Sequence, residues 1–144
     1  DQVETRDNLR VVSDIGSRLP IYCTSQGKVF LAHMSRTSAE ALLRAQHMTQ
    51  FTPHTITDLT ALMQEIDLCR TDGYAIENGE YKIGLRSISA PVYTVEGKAA
   101  YAVGVIGMFR SPHSEEFHAA VEQVCVTASM ISTALGYRKQ EETL

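Results

Sequence analysis

Two strand-like runs separated by a glycine turn constrain this chain more than any other feature. Ser87 to Val95 (SISAPVYTV) and Ala99 to Met108 (AAYAVGVIGM) are rich in β-branched, aromatic and small residues. Glu96-Gly97 between them fits a two-residue hairpin turn, since glycine accepts the positive φ that such turns require. That turn sets Ser87 opposite Ile106 and Ser89 opposite Gly104. Strand side chains alternate, so these four positions share one face. Two hydroxyls beside a residue without a side chain describe a pocket floor. The alternative is an ordinary hairpin whose small residues admit a closely packed helix.

The remaining segments supply helices to cover that hairpin. Leu19-Pro20-Ile21-Tyr22 leads into a helix capped by Thr24 or Ser25, with Val29, Phe30, Leu31 and Met34 as its apolar side. Capping-box spacing from Thr37 to Glu40 starts a second helix carrying Ala41, Leu42, Ala45 and Met48. Thr57-Asp58 opens a third, with Leu59, Leu62, Met63, Ile66 and Cys69 at helical spacing and Gly73 as its stop. An acidic loop follows, in which Glu77 and Glu80 flank Asn78-Gly79. Ser114 with Glu115 and Glu116 begins the last helix, where Val121, Val124, Ala128, Ile131 and Leu135 keep one face apolar. Residues 1–15 read as extended around Leu9, Val11 and Val12, ahead of Gly16. Strands at both ends with helices between and after predict an α+β fold, an antiparallel sheet covered by helices. At 144 residues a single domain covering the whole chain is expected. The chain opens at Asp1 inside a strand-like pattern, which suggests trimming at the N-terminus.

Composition excludes several functions. A net charge of −4 with no lysine or arginine run argues against a direct nucleic-acid surface. No apolar run approaches the ~18 residues of a membrane span. Three widely spaced cysteines, Cys23, Cys69 and Cys125, suit small hydrophobes in a reducing cytoplasm rather than a disulfide framework.

Most catalytic motifs fail on inspection. Gly27-Lys28 lacks both the preceding glycine and the following serine or threonine of a phosphate-binding loop. There is no Cys-x2-Cys pair, and His113 and His118 are spaced for different helix faces, so no metal or other cofactor is expected. Cys23 near a helix start could carry a lowered pKa or simply pack. Glu77 and Glu80 could serve as acid and base or form a solvated turn. One feature points to a ligand. The first amides of the helix after Thr24 have no intrahelical partner, and its dipole favours an anion there. A small carboxylate on the Ser25 and Gln26 amides would face the hairpin floor across a space sized for one organic anion, with Ser87 donating to its other end. Internal capping by Thr24 or Ser25 is the alternative.

LPIYCTSQGKVFLAHMS (Leu19 to Ser35), GYAIENGEYKIGLRSISAPVY (Gly73 to Tyr93) and ALGYR (Ala134 to Arg138) together resemble the effector-binding domain of the IclR family of bacterial transcription regulators. The resemblance covers essentially the whole chain. It implies a GAF/PAS-like fold, a helix-turn-helix DNA-binding domain upstream of Asp1, dimers or tetramers, and a pocket for a small organic acid. It places the ligand-holding amides at Ser25 and Gln26, the acidic pocket residue at Glu77 and a polar hairpin position at Ser87. Apolar lining falls on Val11, Leu19 and Leu85. Two positions that are serines in some members fall on Gly104 and Ile106, the same two that face Ser89 and Ser87. Their loss implies a more apolar floor, with poor binding of glyoxylate or pyruvate and better binding of a longer acid. Coupling to DNA would be allosteric, through the C-terminal helix and the residues before Pro20. Rivals are a GAF/PAS-like sensor of another signalling protein, and a hydrolase or isomerase using Glu77, Glu80 and Cys23.

Overall fold

A computed structural model describes residues 15–138. After a 3-10 turn at Ile21–Cys23 come α1 (Ser25–Ala32), α2 (Arg36–Arg44) and α3 (Leu59–Asp72). Next are β1 (Ala75–Asn78), β2 (Arg86–Tyr93), β3 (Ala99–Gly107) and α4 (Glu115–Ala134). The strands form an antiparallel sheet in the order β1-β2-β3. The α+β class expected from the pattern is the one observed. The expected strand before Gly16, with Val11, lies outside the described residues.

Each sheet face has its own core. Val29 and Leu31 of α1 pack with Leu62, Met63 and Ile66 of α3, Leu43 of α2 and Ala75 of β1. On the other face Ile88, Ala90 and Val92 of β2 meet Phe117, Val124 and Ala128 of α4. Sandwiched between two helical layers, β2 is buried from Ser87 to Val92. Its side chains alternate between the two layers, with Ser87 and Ser89 toward α1 and Ile88, Ala90 and Val92 toward α4.

Helix ends follow their sequence signals with one exception. Side chains of Thr24, Asp58 and Ser114 accept from Gly27, Ala61 and Phe117 amides, and Gly73 closes α3 in the left-handed region. α2 is capped by Ser35, two residues before the expected Thr37. Its inward face is consequently Ala39 and Leu43, not Ala41 and Ala45. Met34 of the first helix pattern is exposed, as are Ile131 and Leu135 of the last. Ser132 is buried in α4 instead, because its hydroxyl is fully used: it donates to the Ala128 carbonyl (2.7 Å) and accepts from the Tyr93 amide (2.9 Å).

The hairpin differs in its turn and agrees in its register. Gly97 N donates to Thr94 O and Thr94 N to Lys98 O, both at 2.9 Å, so Val95-Glu96 is the turn centre. Gly97 follows at φ 75°, giving the loop three residues rather than two. That slip is undone by an irregularity between Val92 and Tyr93, where Ala100 is the extra residue on β3. Beyond it Ser87 pairs with Ile106 and Ser89 with Gly104, as the simpler turn had implied. The acidic segment is also more ordered than a loop. Glu77 lies in β1 opposite Ser87.

Candidate functional site

The start of α1 stands directly on the serine face of β2. Gly27 lets the preceding 3-10 turn pack against the helix start: a Cβ there would overlap the Ile21 carbonyl, a backbone group that cannot step aside. Thr24 Oγ1 accepts from Gly27 N at 3.2 Å and donates to Pro20 O at 3.0 Å. Among the described residues this is the one side-chain cap on the first turn of α1, so internal capping does not extend to the Ser25 and Gln26 amides.

Ser25 is fully buried, and its Oγ meets Ser87 Oγ at 2.9 Å and Ser89 Oγ at 2.7 Å. Ser87 donates onward to Glu77 Oε2 at 3.1 Å. Glu77 Oε1 accepts main-chain N–H groups from Glu80 (2.6 Å) and Tyr81 (3.2 Å). Ser25 thus joins Glu77, Ser87 and Ser89, more than fifty positions away in sequence, in one buried polar cluster. Two sequence expectations change in consequence. The direct gap between Ser25 and the two serines is closed by their own hydroxyls, and Ser87 cannot donate to a guest because its single proton is given to Glu77.

The neighbouring positions to the side are partly open to solvent. Gly104 is exposed and Ile106 is 46% exposed along β3, Leu19 is 47% exposed, and Gln26 and Leu85 are half-buried. Leu19 is thus a surface residue among the described ones rather than a buried wall. Two surface cavities lie elsewhere. One of about 300 Å³ runs between β3 and α4, where Gly104 is its only contact with the expected site. The other, of about 190 Å³, lies between α2 and α3 around Arg36 and Leu59.

The floor is not simply more apolar for lacking serines on β3. A Cβ at Gly104 would overlap Ser89 Oγ and come 2.5 Å from Ile88 O. The hydroxyl is supplied from β2 into the volume that a β3 side chain would fill.

Beside this cluster lies an ion pair that the sequence reading did not anticipate. Lys28, tested only as part of a phosphate loop, is 1% exposed. Its ammonium donates to Glu80 Oε1 (2.6 Å), Ile76 O (3.1 Å) and Glu65 Oε2 (3.4 Å), so all three protons have acceptors. A lysine between Gly27 and Val29 on an otherwise apolar helix was the available signal. Burial pushes the Glu80 carboxyl up, opposed by Lys28. The acidic turn is not solvated, with Glu77 at 3% and Glu80 at 4% exposure. Burial, reinforced by Glu80 and Glu77, drives the Cys23 thiol up to about 12. Of the two readings of Cys23, the packing thiol is the one observed, since desolvation raises its pKa instead of lowering it. Among the described residues no cluster of histidine, cysteine and carboxylate side chains could hold a metal, and no helix is long and apolar enough to cross a membrane.

Comparison with known proteins bears on this arrangement. The family described as "Bacterial transcriptional regulator IclR C-terminal" matches residues 1–133. The HTH-type transcriptional repressor AllR of Klebsiella pneumoniae is 32% identical over 141 residues, which is 98% of this chain and 52% of that protein. The chain spans about half the length of the curated relatives it matches. The crystal structure of the Thermotoga maritima IclR superposes with a TM-score of 0.86 at 29% identity, covering 95% of this chain and 56% of that one. A double mutant of the PobR inducer binding domain from Acinetobacter, solved in complex with 3-hydroxybenzoic acid, gives 0.74 at 25% identity over 81% of this chain and 67% of that one. These relatives are transcriptional regulators and not enzymes, and the chain belongs to their family, as an IclR-type C-terminal domain.

Proposed function

We propose that this domain senses a small organic acid and couples it to DNA binding by a helix-turn-helix domain elsewhere in the same protein. The ligand carboxylate rests on the Ser25 and Gln26 amides, and the body of the acid lies over Gly104 and Ile106 toward Leu85 and Leu19. The observation that carries this reading is the buried cluster of Ser25, Ser87, Ser89 and Glu77 beside those amides. Four polar groups in the seam between a helix and a sheet are more than packing requires, because buried polar groups add nothing that apolar contacts would not supply more simply. Val11 belongs to the same proposed lining. The domain acts as a dimer or tetramer, and the acid shifts the population of subunit arrangements, a coupling of about 1–3 kcal/mol in such systems.

α4 is the proposed transmitter. It is tied to the end of β2 through Ser132 and Tyr93, and Tyr93 Oη meets His33 Nε2 (2.7 Å) at the far end of α1 from Ser25. Titration calorimetry against short and aromatic acids tests the reading, with Gln26→Pro as the variant expected to lose binding. Proline is tolerated in the first helical turn and removes one ligand-facing N–H. Acid binding should weaken at least about tenfold in that variant with the melting temperature little changed. Unaltered affinity, or operator affinity of the full-length regulator that no bound acid changes, would remove this assignment.

A further inference from the structure

We propose that the recognised acid carries a hydroxyl or N–H donor at the end remote from its carboxylate, and that the matching oxo acid is discriminated against. This rests on the ligand-sensing reading above and follows from proton counting. A hydroxyl has one proton to give. Both Glu77 oxygens are already acceptors, Oε1 from two main-chain amides and Oε2 from Ser87. Ser87 has then spent its proton, so its 2.9 Å contact with Ser25 is one in which Ser25 donates. The other acceptor within reach of Ser25, Gln26 Oε1, is farther away at 3.3 Å. With Ser25 committed to Ser87, the 2.7 Å contact with Ser89 requires Ser89 to donate. The row runs Ser89 to Ser25 to Ser87 to Glu77, with every proton pointing at the carboxylate.

Only lone pairs are left over at that end of the cluster. Ser87, across from half-exposed Ile106, and Glu77 offer a guest nothing but acceptors. Glu80, whose amide binds Glu77, adds a buried Oε2 that has no partner among the described residues. Donors are found at the other end, at the Ser25 and Gln26 amides. A carbonyl oxygen set against Ser87 and Glu77 would place lone pair against lone pair in a desolvated corner, whereas a hydroxyl could give its one proton to either group. Sites that leave a buried polar group unpaired discriminate strongly.

The test is calorimetric titration of the chain with acids matched in a hydroxyl or oxo group remote from the carboxylate: 3-hydroxybutyrate and acetoacetate, 4-hydroxybutyrate and 4-oxobutyrate, 4-(hydroxymethyl)benzoate and 4-formylbenzoate. In every pair that binds, the hydroxy member should be at least about tenfold tighter. Glu77→Gln, whose amide can donate to Ser87 and reverse the row, should erase or invert that preference. Should that variant not fold, Ser87→Ala serves instead, since it frees the Ser25 proton and should also reduce the preference. An oxo member that binds equally or better in the wild type, or a preference unchanged in both variants, overturns the inference while leaving an acid-sensing domain intact. Failure of all six acids to bind counts against the sensing reading itself, and this inference falls with it.

Discussion

Ser89 Oγ occupies the volume that a side chain on Gly104 would need, and it spends that position on a 2.7 Å hydrogen bond to Ser25. The two residues face each other across β2 and β3. Neither can change size without the other, and the start of α1 depends on both.

Gly104→Ser is therefore expected to destabilise the domain, although serine suits a strand better than glycine does. The new Cβ displaces the Ser89 hydroxyl and also meets the Ile88 carbonyl, which cannot move away. Overpacking of this kind typically costs about 1–3 kcal/mol. Urea unfolding measures it. Adding Ser89→Gly should recover part of the loss and not all, because the backbone contact remains.

Breaking the Lys28–Glu80 pair from one side should be more damaging than replacing both partners. Lys28→Ala strands the Glu80 carboxylate in the core, and loss of one partner of a buried pair costs about 3–5 kcal/mol. Lys28→Met with Glu80→Gln removes the charge and keeps the volume, so its unfolding free energy should lie much closer to wild type. Equal losses in the single and double variants would show that the ion pair itself contributes net stability, rather than that a stranded charge is what costs.

The cysteines should separate by reactivity. Cys23 and Cys69 are buried, with thiols pushed up to about 12 and about 11 by desolvation, while Cys125 is only half-buried. Ellman's reagent at pH 8 should consume Cys125 first and the other two only on unfolding. The same shifts set a pH dependence. An unfolded thiol ionises near pH 8.5, so these two groups stabilise the fold fully below that pH. Their contribution is lost as pH rises toward the folded values. Unfolding free energy measured between pH 8 and 10 should fall less steeply in Cys23→Ala/Cys69→Ala than in wild type.

Ser132→Ala tests the link between α4 and the sheet. It leaves the Tyr93 amide, now paired with Ser132 Oγ, without an acceptor in a partly buried position. A loss of about 1–3 kcal/mol is expected in thermal or urea unfolding. In the full-length regulator, effector affinity should persist while the effect of the acid on operator binding shrinks.

Local chemistry made much of this domain legible in advance. Caps at Thr24, Asp58 and Ser114 and the stop at Gly73 act over a few residues, so their signals sit in the sequence itself. The pairing of Ser87 with Ile106 and Ser89 with Gly104 was also correct, but through a turn one residue too short. An extra residue at Ala100 cancels the slip, and a bulge of that kind leaves no mark in the pattern of apolar residues. α2 was misplaced because Ser35, Thr37 and Ser38 all present hydroxyls, and only packing selects among them.

What the sequence determined by itself was the four helices and the β2–β3 hairpin in their order, since propensity, capping and strand alternation are properties of neighbouring residues. β1, read as an acidic loop, became a strand only by pairing with β2. Tertiary structure alone decided which polar groups leave water together. Ser25 meets Ser89 across 64 positions, Lys28 meets Glu80 across 52, and Glu77 meets Ser87 across 10. Whether a carboxylate is solvated or buried, which hydroxyl holds a proton, and whether a gap stays open depend on desolvation. That is fixed only when α1 comes down on the sheet.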